Sequence, residues 1–180
     1  MAAVENKLMT VEEFRALPRP VGPFDYELHE GVLVPVTRPK LKHAVVQGRI
    51  RDLLRPLAPV GSYIEIEMAF RARTEFELRV ADVGYLSPER WAKWDPEDNV
   101  HGAPDLVVEV LSPSNSANEM LAKEELCLEA GASEFWIVDP KKRQARVTSA
   151  SGSLRIYKSG QAIPLTIFGS GELAVDAIFS

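Results

Sequence analysis

The apolar and polar positions fall into a sequence of short periodic segments. Thr10-Val11-Glu12-Glu13 ahead of Phe14 has the form of a capping box, which predicts a short helix running to Leu17. The stretch PRPVGP ends it. YELHEGVLVPVT then reads as a β-hairpin around a Glu30-Gly31 turn. From Leu41 to Leu57 the period changes to that of a helix. Val46, Ile50, Leu53, Leu54 and Leu57 share one face, His43 falls on it too, and Arg51 and Arg55 point away. Pro56 and Pro59 close this helix.

Tyr63 to Phe70 and Phe76 to Leu86 read as an antiparallel strand pair joined by the polar RART. Residues 87–103, rich in Trp, Pro and Asp, predict a loop with one helical turn. Pro104 to Leu111 is a short apolar run, the mark of a strand buried on both faces. SPSNS supplies a stop and a helix N-cap, with Ser114 and Ser116 as candidates. A helix over 117–130 follows, closed by Gly131. EFWIVD, residues 134–139, is a second buried strand. It flanks that helix from the other side and is therefore expected to lie parallel to the 104–111 strand. The remainder reads as a hairpin and further short strands. The central order is α-β-β-β-α-β.

Composition bounds what this pattern can be. The chain has 180 residues, 46% hydrophobic and 26% charged, as expected of one globular domain over 1–180. No apolar run approaches the roughly 20 residues of a membrane span. MAAVENKLMTVEEF lacks a signal-peptide core, so a cytoplasmic location is expected. Cys127 is the one cysteine, which excludes an internal disulfide and a thiolate zinc cluster. His29, His43 and His101 have no close metal-ligand spacing. The net charge is −5, yet Arg38 to Arg55 holds six Lys/Arg against Asp52, leaving +5 there and −10 elsewhere. Lys141, Lys142, Arg143 and Arg146 form a second basic run. Such clusters either track phosphates or are solvated faces.

The candidate chemistry lies in three residues. Asp82 ends ELRVAD, Glu109 interrupts PDLVVEVLSP, and Lys123 follows in NEMLAKEELC. Ionised groups among Val and Leu need a partner or a metal. Asp105 is a poor companion for Glu109, because four residues along one strand separate them by roughly 13 Å. Carboxylate oxygens sharing one Mg²⁺ lie within about 4 Å of each other. Asp82, from another strand, can approach Glu109 laterally. On a helical projection Lys123 lies between Leu126 and Cys127, opposite Glu125 and Glu129, so it faces the sheet. There it either neutralises Glu109 or assists a reaction, and the two roles are compatible. Glu65 and Glu67 alternate with Ile64 and Ile66 and read as a solvated strand face, with lining of the cleft as the lesser alternative. Trp91 and Trp94 either stack on bases or cover the core edge.

The order of elements, with Asp on the second strand and Glu on the third, resembles the PD-(D/E)XK nuclease superfamily. MTVEEF, YELHEG, His43 at the start of its helix, RVADV, APDLVVEVLSPSN, LAKEELCLEAGASEFWIVDP and the terminal hairpin narrow this. Together they resemble the Uma-type restriction endonuclease family along nearly the whole chain. The resemblance implies an α/β fold with a restriction-endonuclease-like core: a mixed central sheet flanked by helices, with an added N-terminal hairpin and a C-terminal β-hairpin. It departs from the pattern in having Ala81 where a proline is usual and Leu111 where the superfamily has its lysine. Lys123 matches the lysine that the family carries on the following helix. Cys127 stands where an aromatic is common.

The resemblance implies a Mg²⁺-dependent endonuclease, with Mn²⁺ able to substitute, acting on nucleic acid, with DNA as the expected substrate. Asp82 and Glu109, with the Val110 carbonyl, would hold the ion, and Lys123 would serve the attacking water or the transition state. Glu27 matches a glutamate of the family and is a candidate for the metal shell or a solvated strand residue; Glu30 is its turn-side alternative. His43 is a candidate phosphate contact or a satisfied core histidine. Ser112 is a candidate for a metal-bound water or a helix cap. Two other readings stand beside this one: an inactive nucleic-acid-binding or oligomerising module of the same fold, and a small-molecule hydrolase, which lacks a G-x-S-x-G elbow or Cys–His signature. The apolar tail LAVDAIF suggests a homodimer surface.

Overall fold

The computed structural model describes residues 7–18, 20, 22, 24–73, 75–95, 97–113 and 115–180. The expected elements form, with edges shifted by a few residues. Helix α1 spans Val11–Arg15, with the capping box of Thr10 and Glu13 formed in both directions. Strands β1 (Phe24–His29) and β2 (Val32–Thr37) make the first hairpin. Its two-residue turn has Glu30 at φ 49° and Gly31 at φ 78°, the left-handed pair that a tight hairpin requires. Helix α2 is Leu41–Leu54, and Leu57 lies beyond it, exposed. Next come β3 (Tyr63–Arg71), β4 (Arg79–Leu86), the single turn α3 (Pro88–Trp91) and a short strand β5 (Val100–His101).

Strand β6 (Leu106–Val110) is buried at all five positions, helix α4 is Ala117–Glu129, and β7 is Glu134–Asp139. Ser116 caps α4 with a second capping box through Glu119. Ser114 lies outside the described residues. Strands β8 (Gln144–Ser149) and β9 (Leu154–Lys158) form the terminal hairpin, followed by β10 (Ala162–Pro164), β11 (Glu172–Ala174) and helix α5 (Val175–Phe179).

Seven strands join in one mixed sheet of order β5-β3-β4-β6-β7-β8-β9. β6 and β7 are parallel across α4, as their flanking of one helix predicts. The terminal hairpin continues this sheet instead of standing apart from it. Helices cover both faces. Val46, Ile50 and Leu54 of α2 pack with Leu106, Val108 and Val110 of β6. Met120, Leu126 and Cys127 of α4 pack with Val107, Phe135 and Ile137 on the other side. The tail that suggested a dimer surface is internal. Leu173, Val175 and Ile178 are buried in the α2 core, and α5 lies against α2, so this segment offers no apolar face to a second copy.

One irregularity positions the site. On β3, Ile64 and Ile66 pack with the α2 core, but Met68 and Phe70 pack with the α4 core. On β4, Val83 and Tyr85 belong to the α2 side and Ala81 to the α4 side. Alternation alone would keep each set on one face. The exchange happens at Glu67, whose φ of 51° is rare for a residue with a Cβ.

Two glycines give contrasting expectations. A Cβ at Gly84 would meet Met68 Sδ at 2.6 Å and its Cβ at 3.0 Å, whereas one at Gly48, inside α2, would meet nothing within 4 Å. Gly48→Ala should stabilise the fold by about 0.5–1 kcal/mol through helix propensity. Gly84→Val should destabilise it by about 1–3 kcal/mol through overpacking. Urea denaturation of both variants checks this; equal shifts would contradict the packing described.

Candidate active site

The site forms where β4 and β6 part. Their ladder pairs Val83, Gly84 and Tyr85 with Val108, Val107 and Leu106, and goes no further. Carried one residue on, that register sets Asp82 opposite Glu109. The β3–β4 register, which pairs Ile66 with Val83 and Met68 with Ala81, sets Glu67 opposite Asp82. Three acidic residues thus form a row across adjacent strands. Only the Asp82–Glu109 part was legible beforehand.

Backbone groups freed by the parting must find partners. Side chains supply them. Asp82 Oδ2 accepts the Val110 N–H at 2.6 Å. Glu27 Oε1 accepts the Val80 N–H at 3.1 Å, and Lys123 Nζ donates to Val80 O at 2.7 Å. Lys123 also lies 2.8 Å from Glu109 Oε1 and 4.0 Å from Glu27 Oε1. Its helical position does turn it inward, where it is 9% exposed, beside Glu109 at 6% and Glu27 at 7%. The ammonium's aligned hydrogen bond goes to Val80, so Glu109 Oε1 is a buried oxygen with an ion-pair neighbour but no aligned hydrogen bond among the described residues.

The α2 helix reaches the same row from the other face. His43 Nε2 lies 3.1 Å from Asp82 Oδ2. One turn later, Gln47 is fully buried, and its Nε2 donates to Asp82 Oδ1 at 2.8 Å and to Glu67 Oε1. The hairpin adds His29, with Nε2 2.7 Å from Glu27 Oε2, and Arg79 stands 3.7 Å from the same oxygen.

Electrostatics separate the two glutamates. Burial pushes Glu109 up to about 8, with Asp82 and Glu27 adding to burial and Lys123 opposing it. Burial acts on Glu27 in the same sense, but Lys123, His29 and Arg79 outweigh it and hold this carboxyl at about 2. Burial alone would lower Lys123; Glu109, Glu27 and Asp82 reverse this and keep it charged. His43 behaves alike: burial disfavours its cation, and Asp82, Glu67 and Glu109 more than compensate, raising its pKa. Burial raises the Cys127 thiol to about 12, so it is no nucleophile.

Asp82, Glu109, Lys123, Glu27 and His43 therefore converge. Ser112 stands in the turn after β6, bonded through N and Oγ to Asn115. Asp105 lies at the opposite end of β6, where it takes the Ser87 N–H at 2.7 Å and pairs with Arg90, fixing the entry to α3. Glu30 pairs at the surface with Arg73. Trp91 stacks between Tyr63 and Trp94, at 4.0 and 4.8 Å, and these rings cover the edge of the α4 core. Glu65 binds Arg51 and Arg55, and Glu67 is exposed, as alternation predicts, while its Oε1 also accepts from Gln47 Nε2 at the edge of the site. Gln47 carried no sequence signal beyond its place near the apolar helix face.

Glu109 gives a pH test. Its raised value means that the folded state keeps a proton which the unfolded chain releases above the ordinary value of 4.5. That contribution is complete below pH 4.5 and is lost as pH rises towards 8. Glu27 titrates below this window. Without divalent cations, wild type should lose stability relative to Glu109→Gln between about pH 5 and 8. Urea midpoints that move in parallel for the two proteins would refute this.

Comparison with known proteins agrees with this architecture. The Uma2 family, described as a putative restriction endonuclease, matches residues 11–175. A solved structure of a putative nuclease belonging to DUF820, from Anabaena variabilis ATCC 29413, is similar at a TM-score of 0.75 and 20% identity, over 95% of this chain and 97% of that one. At that identity the likeness speaks for the fold. No curated protein matches the chain. Because the family match runs from α1 to the first residue of α5, the chain belongs to the Uma2 family of putative restriction endonucleases.

Proposed function

We propose that the chain is a divalent-metal-dependent endonuclease that hydrolyses phosphodiester bonds of DNA. The observation that carries this is the Asp82–Glu109 cross-strand juxtaposition with Lys123 buried beside it. The donor set suits Mg²⁺ or Mn²⁺. Among the described residues no three His, Cys, Asp or Glu side chains gather as a metal cage. Mg²⁺ does not need one, since it keeps several waters and takes one or two carboxylates. Glu109 Oε1 lacks an aligned hydrogen bond, and a cation placed there would favour release of the proton that burial holds on this carboxyl. Asp82, Glu109 and the Val110 carbonyl would hold the ion. When bound, it would lower the pKa of a coordinated water and neutralise the scissile phosphate.

The chain's own groups do the rest. Lys123, charged and fixed by Val80 O, can stabilise the negative charge that develops on the phosphoryl oxygens. His43 and the Val110 N–H hold Asp82 Oδ2 in place. Glu27 fixes the open edge of β4 through Val80. Water attacks phosphorus and the bond to the 3′ oxygen breaks, leaving a 5′-phosphate and a 3′-hydroxyl. The basic segment is narrower than its composition suggests. Arg38 pairs with Asp25, Arg51 with Asp52 and Glu65, and Arg55 with Glu65. Lys40 and Lys42, exposed at the start of α2 near His43 and without an ion pair among the described residues, are cations available to phosphates.

One observation favours the second reading, an inactive nucleic-acid-binding module: both Asp82 oxygens already accept protein hydrogen bonds. Cleavage of plasmid and single-stranded DNA with Mg²⁺ or Mn²⁺ decides between them. Asp82→Ala and Glu109→Ala should abolish cutting, and Lys123→Met should slow it on the order of a hundredfold. Wild type no faster than Asp82→Ala and Glu109→Ala sinks the nuclease reading, and salt-sensitive binding without cutting then leaves the module. In the binding assay, alanine at Lys40 or Lys42 should lower the slope of log affinity against log salt by about one each. An unchanged slope would remove those lysines from the interface.

A further inference from the structure

We infer that Gln47 is a positioning residue that aims one oxygen of Asp82 at a divalent cation; this rests on the metal-dependent reading above. A carboxylate offers about four lone-pair sites. At Asp82 Oδ2 two are engaged, by the Val110 N–H at 2.6 Å and by His43 at 3.1 Å. Oδ1 has one partner, Gln47 Nε2 at 2.8 Å, and so retains a site for a ligand. The oxygen left open is the one Gln47 holds.

The amide has a single sensible orientation. Nε2 donates its two hydrogens to Asp82 and Glu67, and a reversed amide would point Oε1 at two carboxylates. In the orientation observed, Oε1 is buried with no hydrogen-bond partner among the described residues. A polar group buried in this way costs stability. A Met or Leu would fill the same volume on the core face of α2 without that cost, so packing gives no reason for an amide here. Holding two acidic side chains in one arrangement does. Glu67 reaches its half of the clasp only through the left-handed backbone at which β3 exchanges faces. Two unfavourable local features thus serve one contact.

Gln47→Met removes both the donor and the orphaned oxygen while keeping the shape. Titration with Mn²⁺, followed by the paramagnetic resonance of the free ion, should show a dissociation constant at least about tenfold weaker than in wild type. The cation-free melting temperature should be unchanged or higher, and cleavage should recover at saturating Mn²⁺. Gln47→Glu replaces the donor by a third carboxylate, so its melting temperature should rise more steeply with Mn²⁺ than that of wild type. The inference is overturned by a Met variant that binds Mn²⁺ as tightly as wild type, by a Glu variant with the wild-type Mn²⁺ response, or by a wild type that binds no Mn²⁺. Gln47-dependent Mn²⁺ binding in a protein that leaves DNA intact would uphold the positioning role and sink the nuclease reading. Cleavage with unaltered Mn²⁺ affinity in Gln47→Met would do the reverse.

Discussion

A sheet cannot open between two of its strands without leaving peptide groups that need partners in a place water hardly reaches. That requirement shapes everything around Asp82. Val80 surrenders its N–H to Glu27 and its carbonyl to Lys123, and Val110 gives its N–H to Asp82. The buried charges are therefore part of the architecture before they are part of any chemistry. Each carboxylate that satisfies a peptide group also raises the need for Lys123, and Lys123 in turn tolerates burial because several acceptors surround it. Removing one member would leave others uncompensated, which is the condition under which buried ion pairs become most costly.

The parting also explains how two helices on opposite faces reach one carboxylate. In a regular sheet, α2 and α4 would each see only their own side. Because β3 and β4 exchange faces at Glu67 and Asp82, His43 and Gln47 arrive from the α2 side while Lys123 and Glu109 belong to the α4 side. The left-handed φ of Glu67 carries an intrinsic cost of order 1–3 kcal/mol. Such costs persist where surrounding structure over-determines the conformation, as the Gln47 clasp and the two flanking cores do here.

Periodicity made most of the fold legible. The capping boxes, the Glu30-Gly31 turn, the fully buried β6 and the inward face of α4 all follow from local pattern, and with them Asp82, Glu109 and Lys123. What was not legible depends on breaks in pattern. Alternation with Ile64 and Ile66 accounts for the exposure of Glu67, but not for its contact with Gln47, which follows from the exchange of faces on β3. Gln47 sits beside Val46 on a helix whose apolar face was drawn from apolar residues alone. The tail LAVDAIF shows the converse error: its apolar content was recognised, but composition cannot distinguish a surface for another chain from the last piece of its own core.

That last piece has a consequence for how the molecule comes into being. Helix α2 rests on Ile163, Leu173, Val175 and Ile178, and Arg49 reaches Ile178 O at 3.4 Å. From the end of α2 at Leu54 the nearest of these residues in sequence, Ile163, is 109 positions away. During synthesis, the helix bearing His43 and Gln47 stays without its complete foundation until residues 163–178 have emerged from the ribosome. The placement of His43 and Gln47 beside Asp82 is thus a late product of folding, and a chain cut before Ile163 lacks this support.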